Sequence, residues 1–374
     1  MKTTEPYLLT PGPLTTARST KEAMLRDWGS RDTAFIDLNG RVRQRLLAIC
    51  GTTDSHVCVP LQGSGTFIVE ATLGTLVPRD GKALVVINGA YGHRMARMLE
   101  IMGRAHTLLE TAEDIPSDPA AVAAALDQDS AITHVLIVHC ETTSGILNPV
   151  EAIAEVVAAQ GRHLIIDAMS AFGAIPFDGA AVPFDALMAS SNKCLEGVPG
   201  MGFAIIRRDA ILASAGNAHS LSLDLHDQWT SMEKNGQWRF TPPTHVISAF
   251  DHALDRFEKE GGVAGRHARY AENCGILIHG MAEMGFVPLL PSHLQAPIIV
   301  TFRMPGDSGF DFQAFYDALQ GRGYVIYPGK LTVADSFRIG CIGDLDAKVM
   351  RNALAAIRET LDEMGVGEGT PAAA

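Results

Sequence analysis

A lysine stands at position 193 in Ser190-Ser191-Asn192-Lys193-Cys194-Leu195-Glu196-Gly197-Val198-Pro199-Gly200, directly after the apolar run Ala186–Met188. Burial strips lysine of its proton readily, and a neutral amine so placed is a nucleophile toward carbonyl carbon. The competing reading is an exposed loop lysine, the commoner fate of this residue type. A second group is the acid that closes His163-Leu-Ile-Ile-Asp167-Ala-Met-Ser170. It falls at the carboxyl edge of a strand, where open α/β sheets place ligands, or else it caps the next turn. The third segment is Gln62-Gly63-Ser64-Gly65-Thr66, between a strand and a helix. Small residues there let backbone N–H groups and a hydroxyl close on a phosphate at a helix N-terminus. The competing reading is a tight turn capped by Ser or Thr. Ile68 stands where a dinucleotide fingerprint needs its third glycine, and no Lys-Ser or Lys-Thr follows, so a nucleotide is disfavoured.

Taken together the three segments say more than any one of them. A phosphate cradle, an acid at one strand end and a lysine after a later strand are what pyridoxal 5'-phosphate requires. The amine joins the aldehyde, the carboxylate keeps the ring nitrogen protonated, and the glycine turn anchors the phosphate. Other chemistries find less support. Ser190 to Lys193 reads SxxK, the nucleophile motif of penicillin-recognising hydrolases, but its SDN and KTG companions are absent. His139-Cys-Glu141 matches the HxE of zinc deaminases without the following PCxxC, and there is no HExxH, so no metal is expected. His93, His219, His226 and His245 read as surface or supporting residues. A desulfurase needs a thiol on a mobile Ser/Gly-rich loop. Cys341 follows a strand and Cys194 adjoins the lysine, so both read as packing residues.

The elements that must position these groups follow from the hydrophobic pattern. Short apolar strands are expected at 57–59, 83–87, 135–138, 163–166, 186–188 and 203–206. Amphipathic helices are expected at 66–76, 92–102, 119–126 and 149–159, with helical spacing over 16–50. This alternation means crossover units and a mostly parallel sheet covered on both faces. Past Gly261-Gly262 the order is helix 266–284, strand 298–302, helix 312–320, strands 324–326 and 337–339, and helix 347–363, which suggests a smaller α+β unit. Pro11-Gly12-Pro13 forbids regular structure near the start, so residues 1–15 read as an arm lying on another surface. The expected organisation is therefore that arm, a large cofactor-binding domain over 16–260, and a small C-terminal domain over 261–374 whose last residues fray.

Length and charge bound the partners. A chain of 374 residues, 47% hydrophobic and 19% charged, is a globular protein of about two domains. Thirty basic against 42 acidic residues give a net charge of −12, which argues against nucleic acid or an anionic membrane as partner. An anionic ligand must then be held by a local cationic pocket. Six scattered cysteines without a CxxC pair, no signal peptide and no membrane-length apolar stretch predict a soluble cytoplasmic protein.

These residues also resemble a known family. Tyr7-Leu-Leu-Thr-Pro-Gly-Pro-Leu-Thr-Thr16, Gln62–Thr66, Asn88-Gly-Ala-Tyr-Gly92, Glu141-Thr-Thr-Ser-Gly145, Asp167–Ser170, Ser191-Asn-Lys193, Ser220-Leu-Ser-Leu-Asp-Leu225, Trp238-Arg-Phe-Thr241 through His245, Tyr327-Pro-Gly-Lys330 and Phe337-Arg-Ile-Gly340 resemble the class V branch of the fold-type I aminotransferases. The resemblance runs from Tyr7 to about Ile357. It implies an α/β fold: a large domain with a mostly parallel seven-stranded sheet plus a small C-terminal α+β domain. It also implies a pyridoxal-phosphate-dependent transaminase. Ser220–Leu225 and Tyr327–Lys330 are closer to enzymes that move an amino group from 2-aminoethylphosphonate to pyruvate. The alternative within the branch is an alanine– or serine–glyoxylate type. By position, the resemblance implies that Lys193 carries the cofactor and Asp167 pairs with its ring nitrogen. Ser64, Gly65 and Thr66 hold the phosphate, with Thr241 and Thr244 reaching it from the neighbouring subunit of a homodimer. Tyr91 stacks on the ring, Thr143 lies near the ring hydroxyl, Arg338 binds the acidic end of the substrate, and Arg31 is a second candidate anion contact.

Overall fold

The computed structural model describes residues 5–331 and 334–371. The first four residues of the expected arm and the last three of the expected frayed tail lie outside them. Strands β1 (His56–Gly63), β2 (Lys82–Ile87), β3 (Ala105–Glu110), β4 (Ile132–Val138), β5 (His163–Asp167), β6 (Ala186–Ser190) and β7 (Gly200–Arg207) build one sheet in the order β1-β7-β6-β5-β4-β2-β3. β7 runs antiparallel to both of its neighbours, and every other pair is parallel.

Strand residues alternate between two cores, as a pleat of period two requires. Leu84, Val86, Val135, Ile137, Leu164 and Ile166 pack with helices α1 (Thr33–Cys50), α4 (Pro119–Gln128), α5 (Val150–Ala159) and α7 (Thr244–Lys259). Ala83, Val85, Ile87, Leu136, Val138 and Ile165 face α2 (Gly65–Leu76), α3 (Ala90–Ile101) and α6 (Leu225–Asn235). Both faces are covered, so the strands are apolar throughout rather than half polar.

The main differences from the sequence reading lie in three stretches. β3 is an unforeseen edge strand with mostly exposed or half-buried residues, so its sequence carries no continuous apolar run. Helical spacing over 16–50 resolves into a short helix, Arg18–Glu22, and α1, separated by extended backbone around Arg26 and Asp32. α6 and α7 occupy a stretch assigned no element, although Phe250, Leu254 and Phe257 in α7 form a readable helical stripe.

The C-terminal region contains α8 (Gly262–Ala282), β8 (Ile299–Arg303), α9 (Phe312–Gly321), β9 (Tyr327–Pro328), β10 (Ser336–Gly340) and α10 (Ala347–Met364). Here β8-β10-β9 form an antiparallel sheet over a core that includes Phe286, Phe302, Phe315 and Phe337. Tyr324–Val325 stands apart from that sheet and pairs in parallel with Tyr7–Leu8, so the arm contains a short strand. Further along, Gly340 N–H donates to Leu9 O and Asp344 N–H to Thr15 O. The tail up to Pro371 is tied down: Gly369 N–H donates to Met284 O and Gly306 N–H to Thr370 O. Among the described residues no helix is long and apolar enough to cross a membrane.

Candidate active site

The carboxyl ends of β4, β5 and β6 open on a cavity of about 360 Å³, lined from these strands by Val138, Asp167 and Ser190. Parallel strands point their ends one way, so a single edge collects groups far apart in sequence. The arm closes one side through Gly12 and Pro13.

Lys193 follows β6 and lines this cavity, half-buried. Its Nζ donates to Pro11 O at 2.6 Å. Burial, reinforced by the charge of Lys330, holds the amine below the usual lysine pKa against the opposing effects of Tyr91, Cys194 and Asp167. A Cβ on Gly12 would lie 2.7 Å from Nζ, and Gly12 has φ +121°, so only glycine lets the arm pass this close. The lysine is thus a positioned, readily deprotonated amine and not a solvated loop cation.

Asp167 satisfies both of its sequence readings. Oδ1 accepts from Met169 N–H at 2.9 Å, which caps the following turn, while the buried side chain also lines the cavity. Burial lifts its pKa to about 6; Met169 N–H, Lys193 and Arg94 pull it down and Glu141 pushes it up. A buried acid so perturbed gains most from a cationic partner within the cavity.

Ser64 is the N-cap of α2, yet its hydroxyl makes no capping bond. The capped-turn reading of this segment therefore fails, and the hydroxyl and the first N–H groups of α2 are available to an anion. Arg94, on α3, donates from Nη1 to Thr66 Oγ1 at 3.2 Å and lines the same cavity. The sequence reading missed it; its place three residues after Tyr91 on one helical face is the signal that could have found it.

Tyr91 forms part of the wall, with the Arg94 guanidinium 4.8 Å and the Lys330 ammonium 5.0 Å from its ring centre. Glu141 fixes this wall from behind, since Tyr91 N–H donates to its Oε2 at 3.1 Å. Thr143 also belongs to that buried support. Its hydroxyl donates to Glu141 Oε1 at 2.6 Å and accepts from Ala90 N–H, and the cavity wall here is Thr142. Arg338, on β10, is buried and fixed by its Nε to Pro328 O (3.1 Å) and its Nη1 to Thr142 O (2.9 Å), which brings the guanidinium against the wall.

Three candidate residues are not brought together with the rest in a single chain. Thr241 and Arg31 are exposed, Thr244 is half-buried at the start of α7, and none of them lines the cavity.

A charged network locks the loop after Lys193. Arg266 donates to Cys194 O and, at 2.8 Å, to Glu260. Tyr270 OH and Arg269 Nη2 donate to Glu196 Oε1 at 2.6 and 2.7 Å. These contacts hold Glu196 at φ +57°, a conformation non-glycine residues rarely adopt.

The rival chemistries find no geometry. An SxxK hydrolase needs a Ser190–Lys193 hydrogen bond, but the buried Ser190 hydroxyl has no partner and Lys193 is spent on Pro11. Burial pushes the Cys194 thiol up to about 12, and a hydrogen bond with Cys274 followed by burial lifts that of Cys341 well above its ordinary value, which leaves both inert. His139 is buried with its pKa near 4, and Glu141 is engaged by Thr143 and Tyr91.

The donor set fits pyridoxal 5'-phosphate. It offers a neutral amine, a buried acid in want of a cation, a helix N-terminus with a free hydroxyl, and an orphaned Ser190 hydroxyl on one wall.

Comparison with known proteins agrees with this geometry. The family described as aminotransferase class-V matches residues 38–335. A 2-aminoethylphosphonate–pyruvate transaminase of Pseudomonas fluorescens (strain Pf-5) is 57% identical over 98% of this chain and 99% of its own. One of Rhizobium meliloti (strain 1021) is 55% identical over 99% and 97%. Among solved structures, pyridoxamine–pyruvate aminotransferase of Mesorhizobium loti superposes with a TM-score of 0.88 at 26% identity, covering 99% of this chain and 96% of that one. Ureidoglycine–glyoxylate aminotransferase of Bacillus subtilis gives 0.90 at 22% identity, covering 98% and 96%, a likeness of fold.

Proposed function

The chain belongs to the class-V aminotransferases, and on that premise we propose that it moves the amino group of 2-aminoethylphosphonate to pyruvate, releasing phosphonoacetaldehyde and L-alanine in the breakdown of phosphonates. The observation that carries this reading is identity above one half, along the whole chain, to transaminases of that name.

Pyridoxal 5'-phosphate, the cofactor of this family, supplies an aldehyde that accepts amino groups and a ring that draws electrons from the carbon bearing nitrogen. The side chains do the rest. Lys193 would attach the cofactor, and its Nζ is the group that would take a proton from the carbon bearing nitrogen and return it. Its lowered pKa keeps a neutral fraction ready for this task. Asp167 would hold the proton on the ring nitrogen through an ion pair. Ser64, Gly65 and Thr66 take the phosphate, with Arg94 as the added cation beside Thr66. Tyr91, in the cavity wall, would cover the ring face. Arg338 presents a planar fork to the acidic end of either substrate, which explains how an acidic protein binds two anions in turn. Thr143 acts through Glu141 and the start of α3 rather than by touching the ring.

The unit is a two-fold dimer in which Thr241 and Thr244 of the partner subunit complete the phosphate site. Six free, buried cysteines suit a reducing cytoplasm.

The test is the half-reaction on the resting enzyme. 2-Aminoethylphosphonate should bleach the visible cofactor band faster than alanine, serine or aspartate does, and pyruvate should restore it. Serine outpacing the phosphonate would move the enzyme to the glyoxylate group. Lys193→Ala should keep the fold by circular dichroism, lose turnover by at least ~10³-fold, and carry no cofactor mass after borohydride trapping.

A further inference from the structure

We propose that Lys330 is a specificity-determining residue, the second cation of the substrate anion site, which distinguishes a phosphonate from a carboxylate. The inference rests on the phosphonate reading above and deepens it.

Arg338 alone is matched to a carboxylate. Two of its nitrogens already donate to backbone carbonyls, Nε to Pro328 and Nη1 to Thr142. The edge that remains suits two oxygens and one negative charge. A phosphonate near neutral pH resembles a phosphate, with close to two charges and three acceptor oxygens. One oxygen and most of one charge are left over. In a chain of net charge −12 they need a nearby cation.

The β9–β10 hairpin supplies that cation. Tyr327 stands directly opposite Arg338 in the antiparallel register. Gly329 N–H then donates to Ser336 O at 2.9 Å, and Gly329 lies so tightly on Ser336 that any Cβ would collide with its side chain and carbonyl. This close approach fixes where the next residue leaves the hairpin. Lys330 emerges there with its ammonium 5.0 Å from the centre of the ring of Tyr91, and it is Tyr91 that belongs to the cavity wall. Among the described residues it has no ion pair and no hydrogen bond, and its ammonium rests on the aromatic face of Tyr91. A cation resting on a ring is held in place without spending its donors. The other candidates are placed differently. Arg94 is tied to Thr66 in the phosphate cradle, and Arg31 is exposed away from the cavity.

The test compares two amine donors on the cofactor-loaded enzyme, by following the visible band in single-turnover half-reactions with 2-aminoethylphosphonate and with L-alanine. For Lys330→Gln the ratio of the phosphonate rate constant to the alanine rate constant, each measured below saturation, should fall about tenfold to a hundredfold, the worth of one charge-assisted hydrogen bond. Lys330→Arg should restore most of the ratio. An unchanged ratio in Lys330→Gln, whether both rates hold or both fall together, overturns the proposal. A wild-type enzyme that alanine converts and 2-aminoethylphosphonate does not would sink the phosphonate reading and this inference with it. Failure of the inference alone shows instead as a wild-type enzyme that prefers the phosphonate and a variant that keeps the preference.

Discussion

Asp167 illustrates what a single buried acid does before any cofactor arrives. Its pKa rises from 3.8 to about 6 in the folded chain, chiefly through burial. The native state then holds a proton that the unfolded state has lost between those values. The contribution to stability is therefore fully present below pH 3.8 and lost as pH rises through about 6. About two pKa units correspond to roughly 3 kcal/mol. In the cofactor-free protein, Asp167→Asn should be more stable than wild type at pH 7, with the difference vanishing toward pH 4, as urea midpoints across that range would show. A pH-independent difference would mean the acid is not desolvated. A protonated ring nitrogen placed against Asp167 would relieve the same penalty, so the buried acid would favour a cationic partner. Lys193 belongs to the same logic, since burial depresses its pKa and the charge of Lys330 adds to the effect.

The loop after Lys193 shows how an element holds a reactive residue still. Glu196 adopts φ +57° and Arg266 sits almost fully buried, two features that persist only when surroundings over-determine them. Arg266 bonds Cys194 O and Glu260; Arg269 bonds Glu196, Glu260, Gly343 O and Leu345 O. The lysine loop is thereby joined through α8 to the chain beyond β10. Arg266→Met should cost about 3 kcal/mol in equilibrium unfolding, because it leaves buried acidic charge short of a partner. A loss under about 0.5 kcal/mol, the level of an ordinary surface substitution, would show that Arg269 compensates by itself. None of this network was legible in the sequence. Glu196, Arg266 and Arg269 follow no motif, and a surface helix would display the same arginines. Strand ends were readable because burial on two faces leaves an unmistakable apolar run, as in Leu164–Ile166 ahead of Asp167. Edge strand β3 was not, because one side of Ala105–Glu110 owes nothing to a core.

A single chain leaves large aromatics exposed beside its proposed phosphate cradle and beside Thr241. Phe67, one residue past Thr66, is 52% exposed, and Phe240, beside Thr241, is 51% exposed. Large aromatics are seldom left bare on both a cradle and the segment expected to reach one, and a second copy would cover them. This exposure is consistent with the proposed dimer, in which Thr241 and Thr244 would serve the neighbour's site. Sedimentation should give twice the 39.9 kDa chain mass. Thr244→Val should weaken cofactor affinity severalfold, about 1 kcal/mol, although the residue lies outside its own cavity. A fully active monomer, or a variant with unaltered affinity, would refute the shared site.

Residue types and their order were enough to identify the chemistry. A lysine, an acid and a small-residue turn, each at the edge of an apolar segment, define what a phosphorylated aldehyde needs whatever the details of packing. Which neighbours share that edge was decided only by the folded chain. Adjacent strands meet through hydrogen bonds rather than through sequence, so Arg94 reaches Thr66, Lys330 reaches Tyr91 and Pro11 receives Lys193 across separations no local pattern encodes. The exchange of Thr143 for Thr142 on the cavity wall has the same cause. A one-residue step turns a side chain from cavity to support, and the hydrogen bonds around Glu141 set that step.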